Sequence, residues 1–580
     1  MDSLILESSI NSDFKPSDFL SKKMLYCNDS NNGNYQSQIV INSQSLANSG
    51  MYISYSESFL AIPLVITMAS LDGEDLPETA VDYFLGLKSG FWHILDSIII
   101  ELNNSNVVQQ TPLSNVFASF KNNTSWSESN LKMDGQSCGF YPDTADSWCF
   151  NNDDANTDGY RKGCGRGLSN NVNAQTYKTQ TVESDVFVND LTATSSNPSS
   201  NYNKGLWQRQ QWLSFNPDAQ DGDTLTKNQG SIMAKQNVNS VFKSYIERVD
   251  GAQIIRLVAK IPLKHICNFF DQVPLMKGGA FTIKLITNQC TSQVNISATG
   301  ALTLTQQNLQ GNTNPLQLSS VNNYSGGSPL VEEGGRDYCI NVSIYKNTSQ
   351  KPAPTVKSWD ATTTLTSCRL YAPAYQFNSL SEQRYLSLVP TKKVIYRDIF
   401  GYQFDGIKGG NNFNFLVSNG LTNLRSVVVI PLISSTSNGK YNENTNVSTL
   451  RSPFTATGAM PDPIILSNFN IQVSGRNLFE NNELYDFEQF KEQLSSANAL
   501  NGNLTTGLTS GLISEYDFSA GYRYYYGNTE RCLPSEDGVQ RSVQVIGKIE
   551  APDDILVNLL IFCEQEKSMT IDVRTGFRLD

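Results

Sequence analysis

The chain has 580 residues and a mass of 64.2 kDa, which is too long for one compact domain and indicates about two to four units. Charged residues make up only 17% and aromatic residues 10% of the sequence. The aromatic content excludes a disordered chain. The low charge argues against a mostly helical protein, whose exposed faces need Glu, Lys and Arg. The net charge of −12 disfavours broad contact with nucleic acid, because such contact requires positive charge against phosphates.

The sequence shows no signal for export or for a membrane span. The longest apolar run, Phe59–Ala69, has 11 residues, whereas a spanning helix needs ~20. Residues 1–10 lack the basic region and the long apolar core of a signal peptide. The ten cysteines, spread from Cys27 to Cys563, are therefore expected to be free thiols.

Strand patterns dominate the chain, as short β-branched or aromatic runs that end at Asn, Gly, Ser or Pro. Residues 98–102 are almost continuously apolar, which is typical of a strand covered on both faces. The clearest predicted strands are Phe59–Met68, Ile94–Leu102, Ile254–Ile261, Phe281–Thr287, Thr362–Tyr371, Val394–Phe400, Val427–Ile433, Ile464–Val473, Ser542–Ile549 and Ile555–Phe562.

Convincing helix patterns are few. The best is Glu483–Ala499, whose apolar residues fall on one face, and we expect it to pack against a sheet edge. Residues 121–235 are rich in Asn, Ser, Asp and Gly; because a structureless loop of that length is uncommon, we expect an insertion with its own short strands that projects from the core. The polar, Pro-containing stretch 349–354 is the best candidate domain boundary.

Two strand-like segments recur in the same order. Phe59–Leu64 resembles Val427–Leu432 at a shift of 368 positions, and Ile94–Leu102 resembles Ile465–Val473 at a shift of 371. The shared order and spacing predict a duplicated all-β domain. Two antiparallel β-domains fit a pair of jelly rolls better than a propeller, whose repeat of ~40–50 residues is not visible.

Only two histidines, His93 and His265, are present for a catalytic triad or dyad. No nucleophile elbow, His-Glu-X-X-His pair or phosphate-binding loop accompanies them. His265 and Cys267 are two positions apart, which says nothing about catalysis. Both histidines are therefore interpreted as structural or surface residues.

A cysteine cluster, Cys138, Cys149 and Cys164, lies in the insertion, with ten and fourteen residues between its members. Zinc sites use closely spaced pairs, typically with two to four residues between the ligands. No histidine lies nearby in the sequence. We therefore expect no metal site from these thiols.

One segment matches the opening half of a calcium loop. Asp154, Asn156 and Asp158 alternate as oxygen ligands and Gly159 follows as the turn residue. The closing carboxylate of such a loop would fall at Gly165, which cannot provide it. A polar turn is the plainer interpretation, and calcium binding stays open.

Carboxylate pairs such as Asp153–Asp154 and Asp221–Asp223 would suit a glycosidase, but they are common by chance in this composition. The sequence gives no positive evidence for catalysis. We therefore predict a protein that is not an enzyme, with no catalytic, cofactor-binding or metal-binding residues.

Several segments of the chain resemble parts of one known protein family. The segments Ile261–Phe270, Pro274–Gly279 and Phe281–Leu285 resemble the late part of the first jelly roll in the major capsid proteins of polinton-like viruses and virophages. Ser367–Tyr375 resembles the start of the second jelly roll. A strand and the helix that follows it in that second jelly roll are similar to Asn470–Phe479 and Tyr485–Phe490 of this chain. The resemblance is distributed over most of residues 50–580.

The resemblance implies an all-β double jelly roll of two antiparallel eight-stranded barrels, with long inserted loops and a few short helices. The implied parts are an N-terminal arm and lead-in at 1–48, a first jelly roll at 49–350 that contains the insertion 121–235, and a second jelly roll at 351–580. The implied function is structural, since three chains would form a pseudo-hexameric capsomer that tiles an icosahedral virus shell.

The same resemblance implies the partners and the location. The homotrimer would contact neighbouring capsomers and penton and minor capsid proteins, without specific nucleic-acid binding, cofactor or membrane span. The protein would be made inside the host cell and reside in the virion. We further expect residues 121–235 at the outer end of the trimer and residues 1–25 at its inner end, as an arm that docks onto neighbours.

A β-sandwich carbohydrate-binding or adhesin protein is the alternative. It would use an aromatic platform, and four tryptophans, Trp126, Trp148, Trp207 and Trp212, lie in or near the insertion. Secretion would be expected for such a protein. A stable trimer would favour the capsid protein, whereas a monomer with affinity for glycans would favour the adhesin.

Overall fold

The architecture was determined from a computed structural model of the chain. The residues that it describes are 18–36, 38–71, 83–103, 106–143, 145, 245–249, 252–296, 302–320, 336–344, 367–388, 390–436, 448–453, 461–462, 464–480, 485–500, 511–529, 538–551, 553, 555–576 and 578.

Strands dominate the described residues, and every strand pair is antiparallel. They are, in chain order, β1 (Phe19–Asn28), β2 (Gln38–Asn42), β3 (Tyr52–Ile53), β4 (Phe59–Ser70), β5 (Tyr83–Leu87), β6 (Leu95–Leu102), β7 (Asn106–Thr111), β8 (Tyr245–Val249), β9 (Ala252–Pro262), β10 (Phe281–Thr287), β11 (Cys290–Ile296), β12 (Leu302–Leu309), β13 (Leu316–Ser320), β14 (Arg336–Ile344), β15 (Arg369–Phe377), β16 (Thr391–Lys408), β17 (Asn412–Leu421), β18 (Leu424–Thr436), β19 (Ile465–Val473), β20 (Arg476–Asn477), β21 (Tyr525–Asn528), β22 (Arg541–Glu550) and β23 (Ile555–Asp572).

Helices are short and connect or cover the sheets. They are α1 (Gln44–Ala47), α2 (Ser114–Ser125), α3 (Glu128–Asn130), α4 (Gln136–Cys138), α5 (Leu263–Ile266), α6 (Phe269–Gln272), α7 (Ser379–Leu388), α8 (Phe487–Leu500) and α9 (Glu515–Ala520), with a 3₁₀ turn at Phe91–Ile94 and a π turn at Leu131–Gly135.

The first half of the molecule, β1 to β15, contains a nine-stranded sheet, a four-stranded sheet and a two-stranded sheet. The nine-stranded sheet has β4 near its centre, with β9 along one side and β14 and β15 along the other. The four-stranded sheet has the order β2-β10-β6-β7. This half therefore exceeds the predicted eight strands.

The second half, β16 to β23, has eight strands in two four-stranded sheets, with the orders β16-β23-β18-β21 and β17-β22-β19-β20. Strands that follow one another along the chain are mostly not neighbours in these sheets, as in a jelly roll. The predicted fold class, an all-β double jelly roll with few short helices, is confirmed.

The two predicted repeats lie at corresponding positions of the two halves. β6 and β19, which carry the second repeat, are each third in a four-stranded sheet. β4 and β18, which carry the first repeat, each lie inside the other sheet of their half.

The proline in each repeat lies where its strand lacks one neighbour. On one side of β4, pairing with β15 ends at Ala61 and pairing with β14 begins at Leu64, so Pro63 falls in the gap. On one side of β18, pairing with β21 ends at Val429, before Pro431. Because proline has no N–H to give to a ladder, such positions tolerate it inside a sheet.

Two hydrophobic cores correspond to the two halves. The first is built around the buried faces of β4, β6, β9 and β10, and the second around those of β18, β19, β22 and β23. β4 is buried along almost its whole length, which explains its nearly unbroken apolar sequence.

Helix α8 packs against the edge of a sheet in the second half, as the sequence predicts. It runs over Phe487–Leu500 next to β21, the edge strand of its sheet. The Tyr526 backbone donates to the Tyr485 hydroxyl at 3.1 Å, and the hydroxyl donates to the Tyr526 carbonyl at 2.7 Å. The Asn528 N–H donates to Gln493 Oε1 at 3.0 Å. These bonds satisfy backbone groups that an edge strand would otherwise leave unpaired.

Three segments lie elsewhere than the sequence analysis expected. Strand β15, expected at the start of the second jelly roll, pairs with β1 and β4 in the first half. Phe19–Asn28, which includes the end of the expected arm at 1–25, forms β1 of the same sheet. Residues 121–143 of the insertion form helices and packed turns rather than short strands, and Trp126 and Phe140 among them are buried in the first core. Most of the remaining insertion lies outside the described residues.

Residues Arg574–Gly576 pack against Gly278 and Gly279 near the end of the chain. The Lys277 N–H donates to the Val573 carbonyl at 2.7 Å. Gly576 has a φ of +69°, and a Cβ there would lie 2.1 Å from Gly279 Cα. The glycines thus permit a close contact of two backbones.

Candidate functional site at the junction of the two halves

Helix α2 joins the two halves, because its side chains enter both cores. Phe117 and Phe120 belong to the core of the second half, whereas Ala118 belongs to that of the first. The ring of Phe117 lies 5.4 Å from that of Phe562, and the ring of Phe120 lies 5.0 Å from that of Tyr524. The helix is thus packed on both sides, which holds the two halves in one arrangement.

A buried polar network on the first-half side of α2 contains His93. Its Nε2 lies 3.0 Å from Ser119 Oγ, and its Nδ1 lies 3.3 Å from Asn115 Nδ2. The Trp92 indole N–H also donates to Ser119 Oγ, at 3.0 Å. A serine and an imidazole are therefore within catalytic distance, but each is only 1% exposed. Since a substrate cannot reach this hydroxyl, the network serves packing.

The second histidine is also structural. His265 is buried, and its ring lies edge-on to Trp126 with the centroids 4.9 Å apart. Burial, followed by the nearby Lys121, Lys264 and Lys260, lowers the pKa of His265 to about 3. The imidazole is therefore neutral near pH 7, and it packs against the indole rather than acting as a base.

The described cysteines are buried free thiols. Burial raises the pKa of Cys138 to about 11 and that of Cys267 to about 12, so these thiols are poor nucleophiles. No group of three His, Cys, Asp or Glu side chains within the described ranges is arranged to hold a metal ion. Cys149 and Cys164 lie outside those ranges, and so the expected absence of a site at the three-cysteine cluster stays a prediction.

The remaining sequence candidates also fall outside the described residues. These are the half-loop Asp154, Asn156 and Asp158, the carboxylate pairs Asp153–Asp154 and Asp221–Asp223, and Trp148, Trp207 and Trp212. Trp126, the fourth tryptophan of the suggested aromatic platform, is buried against Phe140, with the ring centroids 5.2 Å apart. Trp126 therefore cannot present a flat aromatic surface to a sugar.

Lys88 forms a second link between the halves, which sequence reasoning did not identify. Its side chain is fully buried, and its Nζ donates to the Leu450 carbonyl at 3.1 Å. Burial lowers the pKa of Lys88 to about 7, against the opposing influence of Cys290, Asp462 and Asp143. A single lysine within an unremarkable stretch gives no sequence signal, because the carbonyl that it meets is 362 positions away.

Residues 448–453, which follow β18, bring Leu450 to this contact. Their backbone forms several further bonds to the first half: the Asn314 N–H donates to Leu450 O at 2.9 Å, and the Leu318 N–H donates to Pro453 O at 2.7 Å. Such backbone bonds fix the loop independently of its side chains. Helix α2 and the 448–453 loop thus join the halves, in addition to the backbone contact of Lys277–Gly279 with Val573–Gly576.

A cleft of about 1120 Å³ lies between α2 and the strands β16 and β23. Its walls carry charges of both signs, with Lys121 bonded to Asp271 at 2.6 Å and Arg397 bonded to Glu564 at 3.2 Å. Because these charges are already paired with one another, the cleft does not define the charge of a ligand.

No helix of the described residues is both long enough and apolar enough to span a lipid bilayer.

No protein-family model matches the sequence, and no curated protein matches it. Solved structures of similar fold include the Sputnik virophage, with 10% identity over 99% of this chain and 91% of that chain, and a TM-score of 0.48. The mavirus major capsid protein has 10% identity over 98% of this chain and 92% of its own, with a TM-score of 0.41. The Faustovirus major capsid protein has 10% identity over 96% and 92%, with a TM-score of 0.40. The fold assignment rests on the strand pairings described above.

Proposed function

We propose that this chain is a major capsid protein with a structural role. The observation that carries the proposal is the pair of jelly-roll halves, whose four-stranded sheets β2-β10-β6-β7 and β17-β22-β19-β20 have corresponding orders. Helix α2 and the loop 448–453 join these halves into one subunit. A shell subunit needs such a rigid pairing, because each half must meet its neighbours at a fixed angle.

The assembly that we propose is a homotrimer. Three chains of two similar halves present six similar bodies around a three-fold axis, and so give a pseudo-hexameric capsomer. Capsomers of that outline pack side by side and can tile an icosahedral shell. Low charge and abundant amides suit wide, hydrogen-bonded contacts of this kind.

The proposed partners are neighbouring capsomers and the penton and minor capsid proteins, and the proposed location is the virion, after synthesis inside the host cell. The net charge of −12 suits a shell that does not bind the genome tightly. The role requires no catalytic chemistry, and the one serine–histidine contact described, Ser119 with His93, is buried.

The division of the chain into 1–48, 49–350 and 351–580 remains a proposal, as does the position of the insertion at the outer end of the trimer. The strand pairing of β1 and β15 suggests one refinement. Both strands complete the first-half sheet. We therefore propose that the boundary between the two jelly rolls lies after Phe377, near helix α7.

The test is to measure the mass of the purified protein by size-exclusion chromatography with light scattering, and to image it by negative-stain electron microscopy. We expect about three times the subunit mass of 64.2 kDa, and six-lobed particles that form shells at higher concentration. A stable monomer at micromolar concentration would contradict the proposal, particularly if it bound glycans as the adhesin alternative requires.

A further inference from the structure

The outward face of the nine-stranded sheet carries an unusual group of side chains. On β1, Lys22, Met24 and Tyr26 point away from the core, whereas Leu25 and Cys27 point towards it. The pairing register continues this face onto the neighbouring strands, since Met24 is opposite Pro373 and Tyr26 is opposite Tyr371.

Aromatic rings cross three strands of this face. The ring of Tyr26 on β1 lies 5.6 Å from that of Tyr371 on β15, and Tyr371 stacks on Phe59 of β4 at 5.2 Å. Cations lie over both ends of the row, with the Arg369 guanidinium 4.6 Å from the centroid of Tyr26 and Lys260 Nζ 4.9 Å from that of Phe59. We call these five residues with Met24 and Leu20 the aromatic face.

The aromatic face is exposed where it reaches β1. Leu20 is 66% exposed, Met24 53% and Tyr26 50%. Tyr, Met, Phe and Arg are the residues that concentrate at protein interfaces, whereas a solvated sheet face normally carries polar side chains. The composition therefore indicates contact with a partner.

The partner meets the face of the sheet rather than its edge. β1 is the edge strand, but Lys22 and Lys23 lie side by side in it, and charged side chains oppose the addition of another strand. The positive charge of Lys260 and Arg369 on this face also favours an acidic partner surface.

An acidic surface with an exposed aromatic ring exists on the second half of the same chain. Helices α8 and α9 pack together through Phe490 and Phe518, whose rings lie 5.0 Å apart. Their described residues, with the turns that flank them, carry five carboxylates and two cations: Asp486, Glu488, Glu492, Glu515 and Asp517 against Lys491 and Arg523. Tyr516, on α9, is 61% exposed.

We propose that the aromatic face of one subunit docks onto helices α8 and α9 of a second copy of this chain. The inference rests on the proposed trimer and identifies its contact surfaces. Two different patches on each subunit make a head-to-tail contact, which closes into a ring when the rotation allows it. Three such contacts leave no aromatic face exposed in a closed trimer.

The first test replaces Met24 with glutamate, which places a like charge opposite the acidic helices. We expect the trimer dissociation constant to rise at least ~100-fold, measured by light scattering over a dilution series, because like charges opposed across an interface are strongly unfavourable. Ile286→Glu is the matched control, since Ile286 is an exposed apolar strand residue outside the aromatic face. That variant should keep the wild-type mass.

The second test reverses charges at Lys260 and Arg369, which are half-buried, and at Glu488 and Glu515, which are exposed. Recovery of the trimer in a combined variant excludes misfolding as an explanation. Lys260→Glu with Arg369→Glu should weaken the trimer, and so should Glu488→Lys with Glu515→Lys. A chain with all four changes should recover it, because the two reversed surfaces attract again.

The outcomes separate the contact from the function. The docking surface is wrong if wild type is trimeric and the Met24→Glu variant also stays trimeric. It is also wrong if the chain with all four charge reversals does not recover the trimer. The capsid proposal stands in either case. A wild type that never trimerises overturns both. If Met24→Glu loses binding to anionic lipid vesicles while the trimer persists, the face belongs to a membrane contact and the proposed self-contact is wrong.

Discussion

The buried Lys88 Nζ donates to the Leu450 carbonyl at 3.1 Å, and so a lysine of the first half is held by the backbone of the second. Its pKa, about 7, lies well below the ordinary value of 10.5 because burial disfavours the ammonium form. Cys290, Asp462 and Asp143 face the amine and moderate this effect. Between pH 7 and 10 the unfolded chain therefore carries a proton on Lys88 that the folded chain lacks.

This difference predicts a pH dependence of stability. Where the unfolded state binds more protons, the free energy of unfolding increases with pH, by at most about 1.4 kcal/mol per pH unit for one group. Lys88→Met should remove this contribution. The stability of wild type relative to Lys88→Met, from urea unfolding at pH 6.5, 7.5 and 8.5, should therefore increase with pH. Parallel curves for the two proteins would contradict the prediction, and the exposed Lys408→Met is the control that should behave as wild type.

The sequence predicts the sheets well and the junction poorly. β4 and β18 were predictable because each is a long apolar run, and Pro63 and Pro431 did not disturb the prediction, since both lie where a neighbouring strand is missing. Strand β15 was placed in the wrong half, because pairing partners come from the tertiary fold and not from the local pattern.

Helix α2 was missed for a physical reason. Its sequence is rich in Ser, Asn and Thr, which have low helix propensity, and its N-cap residue Leu113 has a φ of +47° and gives no side-chain cap bond. Contacts of Phe117 and Phe120 with the second half stabilise it instead. Lys88 was missed likewise, because the loop that buries it is remote in sequence.

Helix α2 is expected to contribute much of the coupling between the halves. Phe120→Ala should lower the free energy of unfolding by ~3–5 kcal/mol, since it empties a packed site beside Tyr524 and Tyr526. Denaturant unfolding, followed by fluorescence and by circular dichroism, should then show two transitions instead of one, because the halves separate before they unfold. Phe415→Ala, at a half-buried ring within the second half, should cost less and keep one transition. An equal effect of both changes would argue against a coupling role for α2.

The contribution of the hydrogen bonds that cover the edge strand β21 can be tested by a substitution at Tyr485. Tyr485→Phe removes the hydroxyl that accepts from Tyr526 N and donates to Tyr526 O. The two buried backbone groups of Tyr526 then lose this hydrogen-bond partner. We expect a loss of ~2–4 kcal/mol, at ~1–2 kcal/mol for each group left unsatisfied. Tyr385→Phe is the comparison, because the hydroxyl of this half-buried residue donates to one backbone group, Leu275 O at 2.9 Å, and should cost about half as much. Thermal unfolding of the two variants provides the measurement, and equal melting temperatures for both would contradict the account.

A deletion that tests the role of the N-terminal segment has to end before strand β1, which begins at Phe19. Deletion of residues 1–17 preserves the strand, and deletion of residues 1–28 removes it and exposes the edge of β15. If the first segment docks onto neighbouring capsomers, the shorter deletion should give trimers of normal mass that form no shells by electron microscopy. The longer deletion should already lower the free energy of unfolding of the subunit, because Leu25 and Cys27 leave the first core. Normal shells from the shorter deletion would remove the docking role, whereas failure of that deletion to form trimers would assign residues 1–17 to the subunit or to its trimer contact.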